Sequence, residues 1–242
     1  MPSESLETIA LREGGEMRAL LVLPDGAAPA GGWPAVVAIH DILGFSPDIQ
    51  RIARRLAASG YAALAPALFD GAGAPFLCVV RTLRDAVRPG SPAYGRLEQA
   101  RAFLAARPGV NGARVGVTGF CMGGGFALAW AAQGGFQVCA PYYGGVPPEA
   151  ESLRRVCPVV AGFGARDGPF LEHARRLESH LNQLGIAHDV KVYPGVGHGY
   201  MNDHGGGLLS QIARRTPMHA AYDASAAEDS WRRMLAFFAQ HL

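Results

Sequence analysis

Arg114-Val115-Gly116-Val117-Thr118-Gly119-Phe120-Cys121-Met122-Gly123-Gly124 is the stretch that decides how this chain folds. Residues 114–118 form a short apolar run with β-branched residues, the mark of a strand buried on both faces. Residues 122–132 are helical in pattern. Between them the chain reads G-x-C-x-G-G, so strand and helix meet in a sharp turn. Such a turn forces its central residue into strained backbone angles and lifts that side chain above the sheet. Small residues two before and two after it let strand and helix approach closely. The central residue of such turns is usually serine, and here it is Cys121. A sulfur at a helix N-terminus meets partial positive charge, which favours the thiolate. A phosphate-binding loop would need a following Lys-Ser/Thr pair or a G-x-G-x-x-G pattern, and neither is present.

Working outward, residues 8–12 and Glu16–Leu23 read as a leading strand pair around Gly14 and Gly15. Residues 35–40 (AVVAIH) and 61–66 are buried strands, with a helix over 47–59 that Ser46 and Pro47 open and Gly60 ends. Helices are expected over 93–107 and 169–184. Strands are expected over 137–142, 156–162 and 187–193. A C-terminal helix over 225–241 presents Trp231, Leu235 and Phe238 on one face. Residues 70–92 are irregular, and that segment could cover a site. Buried strands alternating with helices predict an α/β fold: a doubly wound, mostly parallel sheet with helices on both faces. No linker or internal repeat is visible, so residues 1–242 read as a single domain. Ligands of such sheets bind outside the carboxyl ends of the strands.

Composition narrows the function classes. Charged residues are 17% of the chain, against about 25% in ordinary globular proteins, and residues 115–148 carry no charge. That stretch holds nine glycines and three prolines, which suits a buried strand-helix-strand better than a membrane span. The net charge is +2, Lys191 is the only lysine, and the arginines are scattered in small pairs. A nucleic-acid binder would concentrate them in a stripe. The first 12 residues carry Glu4, Glu7 and Arg12 and no apolar core, so no secretory signal is read there. Cys78, Cys121, Cys139 and Cys157 match no zinc spacing. Reduced thiols in the cytoplasm are the expectation, and one of them is a candidate nucleophile.

If Cys121 is a nucleophile on this architecture, chain order runs nucleophile, acid, histidine. Asp167 lies just past the strand that ends near Gly162, and His198 lies just past the last strand, between Gly197 and Gly199. Asp189 sits at or within a strand and is a poor rival. His173, His180, His188, His204, His219 and His241 read as surface residues. Cys121 would attack a carbonyl, His198 would move the proton, and Asp167 would fix the imidazole tautomer. Two backbone donors are needed for the tetrahedral oxyanion. They are expected to be the N–H of Met122 and that of Ile42, in the loop after AVVAIH.

From about Pro24 onward the sequence resembles the dienelactone hydrolase (carboxymethylenebutenolidase) family of α/β-hydrolases. The resemblance is carried by His40-Asp41-Ile42-Leu43-Gly44, the cysteine turn at 119–124, Tyr142-Tyr143-Gly144-Gly145, Asp167, the stretch from Gly197 to Asp203, and Trp231, Leu235, Phe237 and Phe238 in the last helix. It implies hydrolysis of a small ester or lactone through Cys121, His198 and Asp167, with no metal or cofactor. The expected partner is that small substrate, with no nucleic acid or membrane, and the chain is a monomer or small homo-oligomer. The family has a glutamate that helps generate the thiolate where this chain has Asp41, one methylene shorter. Family members that act on dienelactone hold its carboxylate with arginines, one of them four residues after the histidine, where this chain has Asn202. Arg81, Arg84 and Arg88 remain candidates to meet an anion, and Tyr143 and Asn202 are candidate substrate contacts. A thioesterase or general carboxylesterase, and a thiol sensor that does not turn over, are the alternative functions.

Overall fold

The computed structural model describes residues 2–70, 90–205 and 207–242. Arg81, Arg84, Arg88 and Cys78, with most of the expected irregular segment, lie outside the described residues. Hydrogen bonding orders eight strands as β1-β2-β4-β3-β5-β6-β7-β8. Pairing is antiparallel at β1–β2 and β2–β4, and parallel at β3–β4, β6–β7 and β7–β8. The chain divides into two compact units, Met1–Val117 and Thr118–Leu242, and the boundary falls inside β5.

In the first unit, β1 (Ser3–Ala10) and β2 (Glu16–Leu23) form a hairpin whose register runs from Ser3 opposite Leu23 to Ala10 opposite Glu16. β1 starts five residues before the apolar pattern does, because ladder hydrogen bonds need no apolar side chain and most of β1 is exposed. β3 (Trp33–Ile39) and β4 (Ala62–Pro66) are the continuous apolar runs, and β4 is buried throughout. Between them, α1 (Pro47–Ala58) starts with Pro47, whose missing N–H would have had no helical partner. Its Ile49, Ile52, Ala53, Leu56 and Ala57 are buried at helical spacing, and it packs on β2, β3 and β4. α2 (Pro92–Ala105) packs on β1, β3 and β4 and leads into β5 (Val110–Phe120).

The second unit opens on the end of β5 and continues with α3 (Met122–Ala131), β6 (Val138–Tyr142), a 3₁₀ turn (Ala150–Leu153), β7 (Val159–Gly164) and α4 (Gly168–Leu184). β8 (His188–Tyr193), α5 (Leu208–Arg214) and α6 (Ala224–His241) follow. α3 is apolar all round and buried at Phe126, Ala127, Leu128 and Trp130. α6 packs on β6 and β7. Its core face is Trp231, Met234 and Phe238, whereas Leu235, expected on that face, is half-buried. Residues 231, 234 and 238 follow the i, i+3, i+7 stripe, and 235 falls to its side. Among the described residues, no helix is long and apolar enough to cross a membrane.

Candidate active site

Cys121 stands between β5 and α3 with φ +55° and ψ −118°. Non-glycine residues rarely adopt such angles, which cost about 1–3 kcal/mol and persist only when the surroundings impose them. Here the surroundings are backbone. The Cys121 N–H donates to the Tyr142 carbonyl at 3.1 Å, and its own carbonyl accepts from Gly124 (3.0 Å) and Gly125 (3.2 Å). The turn closes so tightly that a Cβ on Gly119 would lie 2.0 Å from the Gly123 oxygen. A Cβ on Gly144 would lie 2.4 Å from the Gly124 carbonyl carbon and the Gly125 nitrogen. Met122 opens the helix, so its N–H has no carbonyl four residues earlier within that helix. Cys121 itself is half-buried. Cys139 and Cys157 are buried; burial pushes the Cys139 thiol well above its ordinary range and the Cys157 thiol up to about 12.

Asp167 follows β7 and sits at the cap position of α4, yet its side chain does not cap the helix. It is fully buried, and Oδ2 lies 2.5 Å from His198 Nδ1. Among the described residues Oδ1 has no hydrogen-bond partner, so the imidazole N–H is the strong donor to this carboxylate. His198 is 4% exposed. Its N–H donates to the Met218 carbonyl at 2.8 Å, and its carbonyl accepts from Ala221 at 3.1 Å. The histidine loop is thus held by the 216–221 segment, which no motif in the sequence marks. Among the described residues, His198 Nε2 has no hydrogen-bond partner. The Cys121 sulfur nonetheless acts on the ring. Burial opposes charge on the imidazole, but the Asp167 hydrogen bond and the Cys121 sulfur outweigh it and raise its pKa to about 9.

Tyr143 and Asn202, both candidates from sequence, are brought together. Tyr143 is fully buried with φ +37°, and its hydroxyl donates to Asn202 Oδ1 at 2.6 Å. Its ring and the imidazole form a T-shaped pair, with centroids 5.1 Å apart. Phe170 also packs on His198, at 4.8 Å. Sequence reading passed over Phe170; its signal was a place three residues after Asp167, on the first turn of α4. His173 and His180, expected at the surface, are half-buried. His173 Nδ1 accepts from the Val146 N–H (3.1 Å), and His180 Nε2 lies 3.2 Å from the Pro147 carbonyl. They sit on the side of α4 that faces the chain following β6.

His40, Asp41 and Ile42 belong to the first unit, at the carboxyl end of β3. His40 is buried, with Nδ1 2.7 Å from the Asp41 carbonyl while Nε2 accepts from the Leu68 N–H at 3.2 Å. That pairing defines a neutral ring protonated on Nδ1, and burial lowers its pKa. Asp41 Oδ1 accepts from the Leu43 N–H at 2.9 Å, a local turn that leaves the Ile42 side chain exposed.

A mostly parallel, helix-flanked sheet of this strand order, with a strained residue at the β5–α3 turn, is the α/β-hydrolase fold. The model of the dienelactone hydrolase family matches residues 17–242, and the chain belongs to that family and is a carboxylic ester hydrolase. A Yersinia pestis relative named "Putative carboxymethylenebutenolidase" is 28% identical, over 97% of this chain and 88% of its own. A Synechocystis relative of the same name is 26% identical, over 88% of each chain. A Klebsiella pneumoniae crystal structure described as a "Putative Dienelactone Hydrolase" superposes with a TM-score of 0.81 at 25% identity, covering 99% of both chains. A Pyrobaculum calidifontis esterase, 16% identical with a TM-score of 0.67, covering 98% of this chain and 85% of its own, shares the fold.

Proposed function

We propose that the protein hydrolyses a small ester or lactone through an acyl-enzyme on Cys121. The observation that carries this is the buried Asp167–His198 pair, whose ring is under the influence of the sulfur at the strained turn. The thiolate attacks the carbonyl carbon, and the carbonyl electron pair moves onto oxygen. As the intermediate collapses, the C–O bond of the leaving alkoxide breaks, and protonated His198 supplies its proton. Neutral His198 then takes a proton from water as that water attacks the thioester, and the thiolate leaves. Asp167 holds Nδ1–H throughout, so that Nε2 is the atom that exchanges the proton. The proposed oxyanion donors are the N–H groups of Met122 and Ile42. Asp41 is the proposed thiolate partner, on the sequence's account. Names of the relatives point to a lactone as the substrate class. Asn202 is the proposed contact on the histidine side, and Arg81 is kept as a candidate from its sequence position; Tyr143, expected from sequence as a contact, has no exposed surface and supports the site from behind. Asn202 can hydrogen-bond a neutral group but offers no charge to a substrate carboxylate, which makes dienelactone itself a weaker fit than the reaction class.

Turnover of p-nitrophenyl acetate and of dienelactones by the wild type, Cys121→Ala and Cys121→Ser tests the proposal. Cys121→Ala is expected to lose turnover, and wild-type rates in that variant would remove Cys121 as nucleophile. A stoichiometric burst without turnover in the wild type would make the protein a thiol sensor. A strong preference for a carboxylated lactone over its methyl ester would overturn the reading of Asn202.

A further inference from the structure

We infer that Phe170 and Tyr143 form an aromatic pair that stabilises the cationic form of the His198 ring and fixes its plane, which makes Phe170 a positioning residue for the reaction proposed above. The two rings come from different elements. Tyr143 follows β6, and Phe170 stands on the first turn of α4, where its N–H donates to the Asp167 carbonyl at 3.1 Å. Their centroids lie 5.1 and 4.8 Å from that of the imidazole, with planes inclined at 63° and 43°. Both distances are within the ~6 Å over which a cation is attracted to an aromatic face, and tilted pairs at such separations are favoured geometries.

Neither ring is loosely placed. Tyr143 is buried, its backbone N–H donates to the Gly162 carbonyl at 2.9 Å, and its ring packs on Tyr200 at 5.2 Å. Its hydroxyl bond to Asn202 makes Asn202 act on His198 through the Tyr143 ring. The chain after Tyr143 is tied to α4, through the bond of Val146 to His173 and that of Arg176 to the Val146 carbonyl. One helix therefore carries the proposed acid, carries Phe170, and anchors the loop that holds Tyr143. Among the described residues, the ionisable groups acting on the imidazole are Asp167 at the start of α4 and Cys121 at the start of α3. From the 216–221 segment His198 receives a backbone contact at Met218, while the His219 ring lies 3.3 Å from an Arg166 guanidinium nitrogen. Asp167 and Cys121 set the charge of the ring, and the aromatic pair adds to its stability without competing for its proton.

This inference rests on His198 being the base of the proposed reaction, and its test has a readout that does not. NMR titration of the His198 ring is measured in the wild type, Phe170→Leu and Phe170→Tyr, beside the pH dependence of kcat/KM for a neutral alkyl ester. Phe170 is only half-buried, so these variants keep the core intact. Phe170→Leu is expected to lower the His198 pKa by about half a unit, equivalent to ~0.7 kcal/mol at 1.36 kcal/mol per unit. It should also lower kcat several-fold with a smaller change in KM, and Phe170→Tyr should restore both. An unshifted titration in Phe170→Leu would overturn the inference, even if kcat fell, because packing alone would explain that fall. Full activity in His198→Gln would instead sink the triad reading while leaving the titration result standing.

Discussion

Asp167 shows how much of this chemistry hangs on one atom. One of its oxygens meets the imidazole at 2.5 Å and the other has no partner among the described residues, at a residue with no exposed surface. The bond to the imidazole is the one that offsets the burial of this side chain. In Asp167→Asn the carboxylate is gone while burial of His198 and the influence of the Cys121 sulfur remain, so the ring should titrate well below its wild-type value. The expected fall in kcat is roughly 10²–10⁴-fold, the range seen when the acid of such a triad is neutralised in place. Steady-state kinetics with a matching His198 titration check both, and a kcat within a factor of three of wild type would contradict the proposed role. The wild-type ring, at about 9, predicts an alkaline limb: hydrolysis of an alkyl ester should decline as pH rises through that value. An aryl ester, whose leaving group needs no proton, should decline less. Comparing the two pH profiles distinguishes a proton donor from a spectator.

At the scale of elements, the turn from β5 into α3 depends on missing side chains. Gly119→Ala would place a methyl 2.0 Å from a backbone oxygen, where no flexible side-chain end can yield. Such overpacking costs typically 1–3 kcal/mol or more, and urea unfolding should show it. Gly145→Ala is the matched control, since a Cβ there meets nothing within 4 Å. Asp223 caps α6 by accepting from the Ala226 N–H at 2.9 Å, so Asp223→Ala should cost about 1 kcal/mol without changing kcat. How well each element could be read from sequence follows from what encodes it. β3, β4 and α1 are legible because apolar runs, Pro47 and Gly60 are local signals. The extra length of β1 and β5 is not legible, because backbone ladder bonds extend a strand that its own side chains do not mark.

Over the whole molecule, histidines with opposite environments should shape the dependence of stability on pH. The folded pKa of His198 lies above its unfolded value of ~6.5. Its contribution is therefore fully present below about 6.5 and is lost as pH rises through about 9, with a ceiling of roughly 3 kcal/mol. His40 and His173 are lowered, chiefly by burial, so the unfolded chain binds their protons more tightly and stability falls as pH drops below ~6.5. Denaturant midpoints measured from pH 5 to 10 should pass through a maximum near neutrality. In His198→Gln the part of the decline that begins at about 6.5 should be lost, while the acid decline and the decline above ~8.5 from the buried Cys139 and Cys157 thiols stay.

The sequence by itself determined the α/β alternation, the turn at Cys121 and the chain order in which Asp167 and His198 follow it. Those features are local: apolar periodicity, glycine spacing, and residues placed just past strand ends. The distance from Asp167 to His198, the Tyr143–Asn202 bond, the place of Phe170 on the imidazole and the 216–221 segment behind the histidine loop were decided only by tertiary structure. The reason is physical. Each is a contact between residues distant in the chain, made or missed by fractions of an ångström that depend on how helices and strands pack. The raised proton affinity of His198 belongs to the same class: no property of a histidine in its own loop announces a buried carboxylate 31 residues earlier.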